Sequence, residues 1–224
     1  MDRITFETSD GLRLEGEIHR PDGGPSGSAV ICHPHPMHGG SKDHPVLWAL
    51  RIELIRRRFV VVAFNFRGIM GSEGEFGGGL AEVADAEAAL GVAQREAPGP
   101  VFVAGWSFGA HVALRLAIAD RRVGAAALLG FPSAPDRAVQ LPPLPPDDEL
   151  ARMDRPVLFV AGDADPYCPI PELRELARRL SKASVAVIKG TGHFFPKRER
   201  DAAAIVGRFA GQTILGTEAR PDYR

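Results

Sequence analysis

Six short, unbroken apolar runs constrain this chain more than any other feature. They lie at residues 29–32, 60–64, 101–104, 125–129, 157–161 and 185–188. A strand that is apolar on both sides of its pleat has to be covered on both faces. That is the situation of a strand inside a parallel sheet flanked by helices. Helical patterns fill the gaps. Val46, Leu47, Leu50 and Leu54 share one face, with Asp43 placed to cap the helix and Pro45 in its first turn. Leu173, Leu176, Ala177 and Leu180 follow Pro171 at helical spacing, and Ala202, Ile205, Val206 and Phe209 repeat it. Residues 80–94 are rich in Ala and Glu and helical by propensity. Before all of these come two alternating segments, 4–8 and 12–19, separated by Asp10-Gly11, the pattern of a β-hairpin. The expected fold is α/β: a mostly parallel, doubly wound sheet of about eight strands with an antiparallel first edge. At 224 residues, one domain over residues 1–211 with a tail at 212–224 is the simplest division.

Charge and cysteine content narrow the function. Lys and Arg total 27 against 28 Asp and Glu, a net charge of -1, so no basic surplus points to nucleic acid or an anionic membrane. No stretch of about 18 apolar residues is present, and the opening residues lack the apolar core of a secretory signal. The expectation is a cytoplasmic protein. Cys32 and Cys168 are too few for a disulfide framework and read as reduced thiols.

Chemistry enters at Gly105-Trp106-Ser107-Phe108-Gly109. This G-x-S-x-G lies after the run at 101–104 and before a helical stretch at 110–119. That strand–turn–helix setting is what the motif requires, because the serine must stand at the tip of a sharp turn. The free N–H groups of the following helix then face the place where an oxyanion would form. A serine hydroxyl is a weak nucleophile until a base takes its proton. The chain order Ser…Asp…His is available: Asp163 and Asp165 follow the run at 157–161, and His193 lies in the Gly-rich turn after 185–188. Both positions fall at the C-terminal ends of strands, where α/β sheets bind ligands. His33, His35 and His38 offer a rival, since H-x-H-x-x-H spacing can serve a zinc-dependent hydrolase. Met37 stands where such a motif normally carries aspartate, so His33 is instead expected under the loop and His38 in solvent. His111, four residues beyond Ser107, reads as a packing residue.

The chain resembles the α/β-hydrolase superfamily, in particular its small, lidless bacterial branch related to dienelactone hydrolases. The likeness is carried by Cys32-His33-Pro34-His35-Pro36-Met37-His38-Gly39-Gly40-Ser41, Phe64-Asn65-Phe66-Arg67-Gly68, Ala104-Gly105-Trp106-Ser107-Phe108-Gly109-Ala110, Gly162-Asp163-Ala164-Asp165 and Gly192-His193-Phe194-Phe195. It implies a triad of Ser107, His193 and Asp165, the acid being selected because the family's acid follows its glycine by three positions. It also implies an oxyanion hole. One N–H comes from Phe108, next to the nucleophile. The other comes from the loop after Cys32, where Pro34 and Pro36 have no N–H. That leaves His35 or Met37, and aligning His33-Pro34 with the family's His-Gly favours His35. Two departures stand out. Dienelactone hydrolases proper use cysteine where Ser107 stands, so their substrate does not carry over. Met70 replaces a glycine of the family's R-G-x-G-x-S turn, which puts Met70 among the expected pocket residues.

A lid in this superfamily enters after the sixth strand. Here residues 131–155 hold Pro132, Pro135, Pro142, Pro143, Pro145 and Pro146, which suits a loop with one short helix and no large cap. Met37, Phe131, Leu141 and Leu144 are expected to line a shallow pocket with Met70. The expected activity is cleavage of a small-molecule, short-chain carboxylic ester through an acyl-enzyme, with no metal and no cofactor. Thioesters are the neighbouring substrate class. A non-catalytic binding protein on the same fold would usually have lost one of the three residues.

Overall fold

In the computed structural model, which describes residues 1–133 and 140–217, the chain opens as the hairpin that its alternation demands. Strand β1 (Asp2–Glu7) pairs antiparallel with β2 (Arg13–His19), and Ile4, Phe6 and Leu14 turn inward. There follow β3 (Gly27–Cys32), α1 (Pro45–Arg56), β4 (Phe59–Phe64), α2 (Glu82–Glu96), β5 (Val101–Trp106), α3 (Phe108–Ala119) and β6 (Val123–Leu129). The chain then forms α4 (Asp147–Arg152), β7 (Val157–Gly162), α5 (Ile170–Arg178), β8 (Ala183–Ile188) and α6 (Glu199–Ile214). The eight strands make one sheet in the order β1-β2-β4-β3-β5-β6-β7-β8. Both pairings of β2 are antiparallel, and those from β4 to β8 are parallel.

The apolar runs divide between two cores because successive side chains of a strand face opposite ways. Val60, Val62 and Phe64 of β4 face the core under α2, α3 and α5, while Phe59 and Val61 face the core under α1 and α6. On β5, Val101 and Val103 take the first side, and Phe102, Ala104 and Trp106 the second. Leu50 and Leu54 of α1 are fully buried. Truncating either to Ala would cost about 2–5 kcal/mol.

Three sequence expectations change in detail. Asp43 is not the cap of α1. The cap is His44, whose Nδ1 accepts the Val46 N–H at 3.3 Å. The run at 185–188 is not buried on both faces, because β8 is an edge strand and most of it stays half-exposed. Helix α6 continues to Ile214, past the boundary set at residue 211. Pro135 of the proline-rich segment and residues 218–224 of the tail lie outside the described residues. Within the described part of 131–155 the one helix is α4, six residues long, and no large cap is built. No helix among the described residues is long and apolar enough to cross a membrane.

The sheet order sets the location of the site. From β3 the chain goes to one side, to β4, and later returns to the other, to β5. Cys32 and Gly105 are register partners at the ends of these neighbours. The loops that leave them therefore open over one crevice, as expected where strand order reverses.

Candidate active site

Ser107 sits between β5 and α3 with φ 58 and ψ -121. A non-glycine residue in this region is strained, and a strained turn persists only where its surroundings enforce it. The two glycines of the motif do so by close approach. A Cβ on Gly105 would lie 2.1 Å from the Gly109 carbonyl oxygen, and one on Gly109 would lie 2.3 Å from that of Cys32. The first turn of α3 thus presses on the end of β3, next to the loop that begins at His33.

The turn after β8 brings His193 to Ser107. Ser107 Oγ is 3.0 Å from His193 Nε2, and His193 Nδ1 is 2.8 Å from Asp165 Oδ2. A carboxylate only accepts, so Nδ1 carries the proton and Nε2 is left to accept from the serine hydroxyl. Asp165 is buried, and its other oxygen accepts the Tyr167 N–H at 2.9 Å. Asp163 is exposed and accepts the Gly190 N–H at 2.7 Å, tying the loop after β7 to the one after β8. The geometry thus separates the two aspartates: Asp165 meets the imidazole and Asp163 braces a turn.

The loop after β3 is held by its own histidines. His33 is fully buried, donates from Nδ1 to the Pro34 carbonyl at 2.7 Å and accepts the Phe66 N–H on Nε2 at 2.9 Å. Burial drives it down to about 4, so it stays neutral. On His35, Nδ1 accepts the Met37 N–H at 3.2 Å, and Nε2 donates to the Gln140 carbonyl at 2.9 Å. With both nitrogens of both rings engaged, the H-x-H-x-x-H ligand set is not assembled. Among the described residues no three His, Cys, Asp or Glu side chains group to hold a metal ion. His38 is exposed, as expected, and His111 is buried, stacked on Phe131 at 4.1 Å and bonded to the Pro132 carbonyl at 2.9 Å. Cys32 and Cys168 are free and buried, and burial pushes both thiols up, away from reactivity.

The model of the alpha/beta hydrolase domain family matches residues 29–207. The chain belongs to the alpha/beta hydrolase family. An uncharacterized protein of Rickettsia prowazekii is 29% identical over 203 residues, which cover 87% of this chain and 82% of that protein. The structure of an alpha-beta serine hydrolase homologue from Coxiella burnetii superposes with a TM-score of 0.80 at 28% identity, covering 93% of this chain and 96% of that one. Rhodomycin D methylesterase of Streptomyces peucetius is 36% identical over 78 residues, 34% of this chain and 26% of that enzyme.

In this hydrolase a cavity of about 320 Å³ opens beside Ser107 and His193. Of the expected pocket residues, Leu141 reaches it, and His35, expected as an oxyanion-hole donor, lines it as well. Met37, Met70, Phe131 and Leu144 are not among its lining residues. Phe131 is fully buried under His111, and Leu144 packs half-buried against the core. Met37 is 66% exposed and Met70 77% exposed. Met70 takes φ 52, the left-handed conformation that a glycine adopts without cost, and its side chain lies in solvent. The walls are instead supplied by His44, Trp106, Tyr167 and Phe194. Trp106 and Phe194 are chain neighbours of Ser107 and His193, and Tyr167 lies two residues after Asp165; that closeness in sequence was the available signal. His44 carried none, because its place depends on where α1 begins.

Proposed function

We propose that this hydrolase cleaves short-chain carboxylic esters through a serine acyl-enzyme, with Ser107 as nucleophile, His193 as base and Asp165 as the orienting acid. The observation that carries the reading is Ser107 in its strained turn, 3.0 Å from an imidazole that is itself fixed by a buried carboxylate. His193 takes the hydroxyl proton as Ser107 Oγ attacks the acyl carbonyl. Asp165 keeps the imidazole in the productive tautomer and stabilises the imidazolium. The alcohol leaves with the proton from His193, and a water, deprotonated by the same ring, releases the acid.

The developing oxyanion is held by the N–H groups of Phe108 and His35. The Met37 N–H is already given to the His35 ring, which supports His35 over Met37 as the second donor. Pro34 and Pro36 stiffen the segment that presents it. Family membership and the partial likeness to a methylesterase support an ester as substrate.

An organophosphonate probe tests the reading. It should label Ser107, and Ser107→Ala should lose both labelling and esterase activity, the latter by about 10³-fold or more. Labelling elsewhere, or full activity in Ser107→Ala, would sink it.

A further inference from the structure

Rings supply much of the lining of the cavity beside Ser107, with Pro34, Pro132 and Leu141 among the rest. His44 lies against Trp106 with centroids 4.1 Å apart and planes at 39°. Phe194 meets Trp106 edge-on at 5.6 Å, and Tyr167 meets His193 edge-on at 5.0 Å. His44 is fixed as a wall because its Nδ1 caps α1. Phe194 is 59% exposed and Tyr167 38%, an unusual openness for aromatic side chains beside a reactive serine. The chain enforces it: the next residue, Phe195, is fully buried in the core under α1 and α6 and takes φ 49, a conformation a phenylalanine rarely adopts. With Phe195 anchored inward, Phe194 is held out at the mouth.

Resting on the ester-hydrolase reading, we propose that the substrate carries a flat aromatic ring, bound in this cavity against Trp106, Phe194 and Tyr167. Apolar area alone would serve an alkyl group as well as an aryl one. Ring walls add a geometric term, since aromatic pairs gain from offset and edge-to-face contact beyond the area they bury. The volume of about 320 Å³ is near the lower end of small-molecule sites, which suits one ring better than a polycyclic body.

The test compares methyl phenylacetate with methyl cyclohexylacetate, each enzymatic kcat/KM divided by the ester's own alkaline hydrolysis rate. The saturated ring has the larger apolar surface, so burial alone favours it. The wild type should prefer the aromatic ester by about tenfold, the scale of one or two ring contacts. Phe194→Leu and Tyr167→Leu, which keep apolar bulk and remove a π-face, should each lower that preference by about threefold. Phosphonate titration of Ser107 counts the folded sites in each variant. A normalised preference at or below one in an enzyme that hydrolyses both esters overturns the inference and leaves the ester reading standing. A preference that neither substitution changes overturns the assignment of these rings. If no short ester is cleaved and Ser107 is not labelled, the ester reading fails and this inference with it.

Discussion

The indole N–H of Trp106 donates to the backbone carbonyl of His193 at 3.0 Å. The residue just before Ser107 thus ties down the loop that carries the imidazole, whose Nε2 stands 3.0 Å from Ser107 Oγ. Trp106→Phe would leave a buried carbonyl without its donor, at a cost of about 1–3 kcal/mol. We expect a lower Tm and a kcat reduced by about tenfold, because the lost contact holds the loop that orients the imidazole. Steady-state kinetics with thermal melting of the variant checks both.

The aspartates give a sharper contrast. Asp165→Asn should lower kcat by about 10³- to 10⁴-fold, since an amide can present its N–H₂ to Nδ1 and trap the wrong tautomer. Asp163→Asn should cost at most a few-fold, because an amide oxygen still accepts the Gly190 N–H. Kinetics of the two folded variants decide the assignment, and a larger loss in Asp163→Asn would move it by two residues.

Gly109→Ala tests the contact between α3 and β3. Alanine in a helix gains about 1 kcal/mol over glycine by propensity. The new Cβ would meet the Cys32 carbonyl oxygen at 2.3 Å, however, and overpacking against backbone costs about 1–3 kcal/mol. We expect the clash to win: a lower urea midpoint, together with a loss of esterase activity as the loop carrying His35 is pushed away from Ser107.

Stability should fall on acidification below about pH 6.5. His33 and His111 are both pushed down to about 4 by burial. Between an ordinary histidine value near 6.5 and that value, the unfolded chain binds protons that the folded chain refuses, so stability present above 6.5 is lost as pH falls toward 4. Each ring contributes on the order of 3 kcal/mol across that window. Urea midpoints at pH 7, 6 and 5 should decline in order. His111→Gln, which keeps a donor for the Pro132 carbonyl, should flatten the decline, and a slope unaltered by it would refute the assignment to His111.

Chain-length preference follows from the segment after β6, whose described residues form one short helix, α4, and no large cap. Each acyl CH₂ is worth about 0.8 kcal/mol only while the cavity covers it, so rates on 4-nitrophenyl esters should peak at about C2 to C6. No rise in rate should appear above the substrate's solubility limit. A preference for much longer chains, or such a rise, would mean that the segment after β6 closes as a lid.

Much of the fold is written in local order. The alternation of residues 4–8 and 12–19, the doubly apolar runs and the helical spacings each demand one kind of element, because periodicity of side-chain direction follows from the backbone itself. The position of Ser107 was equally legible: a small-residue turn between an apolar strand and a helix leaves few other conformations. The tertiary structure decided what depends on meetings between distant segments. It brought Asp165 rather than Asp163 to His193, although both stand in one turn, because the direction of each side chain is set by how the loops after β7 and β8 cross. The ring nitrogens of His33 and His35 went to backbone partners as remote as Phe66 and Gln140. The cavity was walled with His44, Trp106, Tyr167 and Phe194, while Met37 and Met70 were turned into solvent. Spacing along a chain fixes which face of its own element a side chain occupies. It does not fix which faces of separate loops converge, and a pocket is made of that convergence.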